Sequence, residues 1–220
     1  MSAIVHDYVE AYLKKMASFE VDAIAVLEEY ARENHIPIIQ KEAGRLLETF
    51  IYMVKPLKIL ELGTAIGYSS ILMSRCAGSK TKITTIERDP HMVKLARINI
   101  ENFDCQENIE VLEGDCLDIL KNLNDKYDFI FIDAGKGHYG DFFPHCVRLL
   151  SENGIIVSDN VLFRGMVASD ELVDKRMSTI VKRMREYLDM LLKNNEFHTS
   201  VIPIGDGIAV TARRNRNEKA

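Results

Sequence analysis

Lys58-Ile59-Leu60-Glu61-Leu62-Gly63-Thr64-Ala65-Ile66-Gly67-Tyr68-Ser69 is the stretch on which the fold turns. It opens as a short apolar run, passes two glycines that let the backbone bend closely, and runs into a helical pattern over Ser69–Ala77. Downstream the same alternation repeats. Apolar runs at Lys82–Glu87, Ile109–Glu113, Tyr127–Asp133 and Gly154–Asp159 alternate with helical stretches near Pro90–Glu101, Leu117–Leu123 and Tyr139–Leu150. Strands alternating with helices imply right-handed crossovers and a parallel sheet covered on both faces. The runs are continuous, as strands buried on both faces should be. Asp89-Pro90 is a good helix start, because the carboxylate caps the amides and proline fits the first helical position.

Upstream of Lys58 the pattern is helical. Val21, Ile24, Ala25, Leu27 and Ala31 recur at helical spacing until Pro37 interrupts them. A second helix from Lys41 to Val54 presents Ala43, Leu46, Leu47, Phe50 and Ile51 to one side, and Pro56 ends it. At the other end of the chain, Phe197–Pro203 and Ile208–Ala212 are separated by Gly205-Asp206-Gly207, a tight-turn sequence. A hairpin is antiparallel, so one strand must run against an otherwise parallel sheet.

The 220 residues fit one domain: a helical cap over 1–55, an α/β core over 56–213 and a basic tail over 214–220. Lys plus Arg number 28 and Asp plus Glu 33, a net charge of −5, and 47% of residues are hydrophobic. That balance excludes a disordered chain and argues against sequence-blind nucleic-acid binding, leaving room for a local basic face. Cys76, Cys105, Cys116 and Cys146 show no metal or redox spacing and are expected as reduced thiols. No apolar run approaches the ~20 residues of a membrane span, and Met1–Lys15 has no signal-peptide core, so a cytoplasmic protein is expected.

In open α/β sheets, ligands bind beyond the carboxyl ends of the strands. The glycine spacing here is G-x-x-x-G, unlike the pyrophosphate-binding G-x-G-x-x-G. The second strand ends in Glu87, where a carboxylate can accept both hydroxyls of a ribose. The third is followed by Gly114-Asp115-Cys116, where an acid and backbone amides can meet an adenine edge. Either acid taken alone could instead cap the next helix.

These successive strand ends resemble the binding motifs of class I S-adenosylmethionine-dependent methyltransferases. The resemblance implies a Rossmann-like α/β fold, with a seven-stranded, mostly parallel sheet, one antiparallel strand, helices on both faces and an N-terminal helical extension. It also implies that the methyl donor lies against Glu61, Gly63, Tyr68 and Ser69 of the first loop. Glu87 and the Asp115-Cys116 step would follow, with Asp133 from the fourth strand and Ile39 at the methionine end.

The fourth strand ends Asp133-Ala134-Gly135-Lys136 and the fifth ends Asp159-Asn160. Neighbouring strand ends would bring Asp133, Asp159 and Asn160 to one edge of the crevice. Two carboxylates and an amide oxygen suit a hard, octahedral cation such as Mg²⁺, whereas a closed zinc site would want Cys or His. This constellation resembles the cation-dependent O-methyltransferases, the group of the catechol and caffeoyl-CoA enzymes. There the same three positions hold the metal, and a lysine at the place of Lys136 acts on the substrate hydroxyl. The common wording is D-A-D-K, and Gly135 departs from it at a position that is not a ligand.

The metal wants two neighbouring oxygens to chelate, as in a catechol or in 5-hydroxyuridine. His35–Ile38, Gly63–Ser69, Asp159–Gly165 and Ile202–Gly207 resemble the bacterial tRNA 5-hydroxyuridine methyltransferases, which form 5-methoxyuridine at the wobble position. That resemblance implies a tRNA anticodon loop as substrate and a homodimer. Arg176, Lys182, Arg183 and Arg185 lie on a helix whose apolar side is Met177, Val181, Met184, Leu188 and Leu191, and Arg213, Arg214, Arg216 and Lys219 follow in the tail. These could face phosphates, or be an ordinary solvated helix and tail. Phe163 and Arg164 could stack on a base, and His138 is read as a turn residue. A small-molecule catechol-type O-methyltransferase and a non-catalytic nucleotide- or RNA-binding module are the rival functions.

Overall fold

The computed structural model of the protein describes residues 4–17 and 23–214. Three helices lead: α1 (Asp7–Ala17), α2 (Ala25–Glu33) and α3 (Lys41–Val54). Along α3 the buried residues Ala43, Leu47 and Ile51 recur every fourth position, one apolar stripe of an amphipathic helix. Lys55, left-handed at φ 49°, closes it ahead of Pro56. Val21, expected on the stripe that continues into α2, lies outside the described residues, as do Arg216 and Lys219 of the tail.

From Lys58 the expected alternation holds. The core runs β1 (Lys58–Leu62), α4 (Tyr68–Ala77), β2 (Lys82–Glu87), α5 (Pro90–Asn102), β3 (Ile109–Glu113), α6 (Cys116–Asn122) and β4 (Tyr127–Ile132). It continues with α7 (Tyr139–Leu149), β5 (Leu150–Ser158), α8 (Ser178–Lys193), β6 (Phe197–Ile202) and β7 (Ile208–Arg213). Asp89 caps α5 as anticipated, accepting from the amides of His91 and Met92 at 2.8 and 3.3 Å.

The seven strands form one sheet in the order β3-β2-β1-β4-β5-β7-β6. β7 pairs antiparallel with both β5 and β6, while the remaining pairings are parallel, so β7 is the one reversed strand. Ile59, Ile83, Phe129, Phe131 and Val157 meet α2 to α5 on one face. Leu60, Leu62, Ile130, Ile132 and Ile156 meet α6 to α8 on the other. Each such side chain removed from water contributes about 1.5–3 kcal/mol. Central β1 and β4 are buried at every position but Lys58 and Asp128, whereas β3, at the sheet edge, leaves Glu110 and Glu113 exposed. Burial on both faces was expected of all five runs; at β3, the last strand of the sheet, only Ile109 is fully buried.

β5 starts earlier than the run Gly154–Asp159 suggested. Tyr127 pairs with Leu150 and Phe129 with Ile155, so Ser151-Glu152-Asn153-Gly154 bulges from the ladder. Those four residues carry turn chemistry, which hid the strand in the sequence. The bulge is tied back by the Ser151 hydroxyl, which donates to Asp128 at 3.0 Å.

Candidate active site

The chain order reverses between β1 and β4, and there the carboxyl ends of the strands open a cavity of about 630 Å³. Ile39, Gly63, Tyr68, Ser69, Glu87, Asp115 and Cys116 line it on one side, and Asp133, Lys136, Asp159 and Asn160 on the other. Of the residues expected from the sequence to hold the donor, the cation or the substrate proton, only Glu61 is absent from this wall.

Gly63 adopts φ +104°, where a side chain is strained, and a Cβ there would stand 3.0 Å from the Asp133 carbonyl and from Ala134. The turn after β1 thus rests directly on the turn after β4. Gly63→Ala is expected to destabilise the protein by about 2 kcal/mol, through both the φ penalty and the collision. Calorimetric melting of the ligand-free protein measures this.

Glu87 ends β2 with its carboxylate engaged by three amides. Oε2 accepts from Ala65 at 3.0 Å, and Oε1 from Arg88 and Asp89 at 2.9 Å each. These contacts fix the carboxylate at the cavity wall and leave it lone pairs for further donors. Asp115 caps α6 through the Leu117 amide at 2.8 Å and lines the cavity as well, so its two candidate roles coexist. Cys116 beside it is inert as a nucleophile, since burial pushes its thiol up to about 12. Tyr68 donates its hydroxyl to Glu28 of α2 at 2.7 Å, and Glu28 pairs with Lys41 of α3.

Glu61 lies behind the glycine loop with no exposed surface. It accepts from the hydroxyls of Ser70 and, at 2.6 Å, Thr85, while Thr85 also meets Thr64 at 2.6 Å. Burial raises its carboxyl above the usual range, against the pull of these hydroxyls. Its place is beneath the loop that faces the cavity.

β4 and β5 pair side by side to Ile132 and Ser158, so the next residues, Asp133 and Asp159, emerge together. Asp159 Oδ1 accepts the Asn160 amide at 2.6 Å, and its carbonyl accepts the Tyr139 hydroxyl of α7 at 3.0 Å. Burial, then the neighbouring charge of Asp159, holds the Asp133 carboxyl well above its ordinary value. Burial also takes Asp159 up to about 6, although the Asn160 amide and the Lys136 charge pull the other way. Two desolvated acids side by side are costly without a cation. Among the described residues no cluster of three or more His, Cys, Asp or Glu forms a metal cage. Two acids and one amide oxygen nonetheless fit a hard divalent ion that keeps positions open for substrate.

Lys136 reaches this edge from a short 3₁₀ turn, its Nζ 5.5 Å above the Phe163 ring centroid. Two acids near the pair were missed in the sequence. Asp206, on the hairpin turn, lines the cavity, and burial raises its carboxyl. Glu42 of α3 is 4% exposed with no partner among the described residues for either carboxylate oxygen, and its charge acts on Asp159. An acid in a Gly-Asp-Gly turn and an acid on an apolar helix face were the available signals.

The basic helix divides in two. Arg185 is consumed structurally, donating to Asp170 and to the carbonyls of Met166 and Val167. Arg183 stays exposed and donates to the Gly137 carbonyl at 3.1 Å, beside the Lys136 turn. Arg213 and Arg214 both bond to backbone carbonyls, of Val147 and Phe197.

A model of the O-methyltransferase family matches residues 13–214. The chain is 28% identical over 208 residues to a catechol O-methyltransferase of Niastella koreensis, covering 92% of each. It superposes with a TM-score of 0.88 and 34% identity on a Staphylococcus aureus structure provisionally assigned as a caffeoyl-CoA O-methyltransferase, covering 94% of this chain and 100% of that one. A Podospora anserina methyltransferase solved with SAH bound shares the fold at TM-score 0.87 and 24% identity, with 95% of each chain covered.

Proposed function

This chain belongs to the O-methyltransferase family of S-adenosylmethionine-dependent enzymes, and from that premise we propose that it methylates the 5-hydroxyl of 5-hydroxyuridine at the tRNA wobble position with a divalent cation, Mg²⁺, in attendance. The observation that carries the reaction type is the pair of desolvated acids, Asp133 and Asp159, beside the glycine loop and within reach of Lys136.

Asp133, Asp159 and Asn160 would hold the cation, which supplies a Lewis acid to the acceptor oxygen and lowers the hydroxyl's pKa. The chain's own groups do the rest. Gly63 and its loop let the donor approach the backbone, Glu87 receives the ribose hydroxyls, and Ile39 closes over the methionine end. Lys136 Nζ takes the proton from the acceptor hydroxyl. The oxygen then forms its bond to the methyl carbon as the carbon–sulfur bond breaks, and the donor leaves as S-adenosylhomocysteine. Because the displacement is in line, most of the rate comes from positioning the two partners.

The tRNA assignment is supported by the resemblance of Asp159–Gly165 and Ile202–Gly207 to that branch, and by Arg164 and Arg183 near the cavity mouth. The second reading, a catechol-type small molecule, is favoured by the names of the relatives, and a catechol offers the same pair of adjacent oxygens. A homodimer belongs to the proposal too, supported by Tyr8, Tyr12, Tyr52 and Met53, all more than 60% exposed on α1 and α3. Among the described residues no helix is long and apolar enough to cross a membrane.

Mass spectrometry of tRNA nucleosides from a deletion strain decides between the substrates. Loss of 5-methoxyuridine with accumulation of 5-hydroxyuridine is expected. An unchanged 5-methoxyuridine level, with purified enzyme methylating a catechol, transfers the function to the small molecule.

A further inference from the structure

The segment that follows β5 is built against its own backbone preferences. Asn160, Phe163, Arg164 and Gly165 all have left-handed φ, at 56°, 41°, 57° and 77°. Only one of the four is glycine, and such conformations persist where surrounding contacts over-determine them. The contacts here come from the hairpin turn between β6 and β7. The Val161 amide donates to the Gly207 carbonyl at 2.9 Å and the Leu162 amide to the Asp206 carbonyl at 3.0 Å. The Arg164 amide donates to the Asp206 carboxylate itself. Gly207, at φ +87°, lies so close that a Cβ on it would stand 2.4 Å from Leu162 Cγ. Two of these bonds use the Asp206 residue, and its carboxylate is the only side chain among the acceptors. The Arg164 side chain is exposed, and its charge also acts on the Asp206 carboxylate.

We propose that Asp206 is a positioning residue: by accepting the Arg164 amide it holds the segment after β5 in the left-handed turn that presents Asn160 to Asp133 and Asp159, and Phe163 to Lys136. It acts through the backbone of its neighbours and needs no contact with the methyl group. The inference rests on the cation and acceptor assignment above for its functional consequence, while its structural half stands by itself. Groups that orient metal ligands typically change metal affinity by 10–100-fold when removed.

Asp206→Ala, Asp206→Asn and the double variant Asp206→Ala with Arg164→Gly test this. Three quantities are read: Mn²⁺ affinity by calorimetry, S-adenosylhomocysteine affinity by the same method, and hydrogen exchange of the 161–166 amides. In Asp206→Ala, Mn²⁺ binding should weaken by about 10–100-fold and the Arg164 amide should exchange at least about tenfold faster, with S-adenosylhomocysteine binding within about twofold of the parent. Asp206→Asn keeps an accepting oxygen and should recover most of both losses. The double variant should recover Mn²⁺ binding, because glycine adopts φ +57° freely, while its residue-164 amide, without the Asp206 acceptor, should stay fast to exchange.

Unchanged exchange and Mn²⁺ affinity in Asp206→Ala would overturn the proposal. So would an Asp206→Asn variant as impaired as Asp206→Ala, which would make charge the operative property. Should Asp206→Ala fail to fold, Asp206→Asn alone decides: parental Arg164 protection supports the clamp, and its loss overturns it. A parent protein that binds no Mn²⁺ at all would defeat the cation assignment while leaving the exchange measurement to judge Asp206.

Discussion

Asp159→Ala should lower methyl transfer by at least about 10³-fold while S-adenosylhomocysteine binding stays within a few-fold of the parent, since a Lewis acid and its orientation supply several kcal/mol of the barrier. The separation of the two effects follows from where Asp159 stands. It shares one edge of the cavity with Asn160 and Asp133, whereas the proposed place of the donor's adenosine is toward Glu87 and Asp115. Its carboxylate accepts the Asn160 backbone amide as well, so the alanine variant disturbs a second of the proposed cation-holding residues. Single-turnover transfer with and without EDTA, beside calorimetry of the donor product, measures both. Equal losses in the two would show that Asp159 merely supports the fold.

The pH dependence has a definite sign. The Asp159 carboxyl titrates near 6 in the folded protein against an ordinary 3.8, so between those values the folded state holds the extra proton. Stability from this group is therefore full below about pH 4 and is lost as pH rises through 6 in the cation-free protein. A divalent ion must displace that proton, so its affinity should fall as pH drops below 6.

Lys136→Met should reduce kcat by about 10²–10⁴-fold, the usual contribution of a positioned base. Methionine keeps a long apolar stem against the Phe163 ring, so folding and donor binding should survive. The diagnostic is the pH–rate profile. If the Nζ amine removes the proton, the variant should show a rate that rises with pH, following hydroxide, where the parent levels off. Lys136→Arg should fail to rescue, because a guanidinium stays protonated at any working pH. A variant with parental kcat would demote Lys136 to a surface charge.

Much of this site was legible in the sequence because strand ends are local signals. Glu87, Asp115, Asp133 and Asp159 each close a run of apolar residues, and the sheet rule alone sends them to one crevice. That β4 and β5 are neighbours was an inference from the doubly wound pattern, and the Ile132–Ser158 pairing bears it out. What stayed hidden comes from tertiary contact. Asp206 meets Arg164 across 42 residues of chain, and its turn sequence explains itself without that partner. Glu42 reads as an ordinary charged position in the first turn of a helix, and only the packing of α3 against its neighbours buries it. Glu61 was expected at the donor from its place in the motif; one of its carboxylate oxygens accepts from Ser70 and Thr85 beneath the loop, and the other has no partner among the described residues. The strand start at Leu150 was masked by the turn-like residues of the bulge.

The hydroxyl of Tyr68, reaching from the first turn of α4 to Glu28 and through it to Lys41, couples α2 and α3 to the wall of the cavity. The opening quarter of the polypeptide is consequently no detachable appendage. Grafting a different leader onto this core would have to reproduce that latch, or the transplanted enzyme would grip its sulfonium reagent loosely however intact its catalytic edge remained.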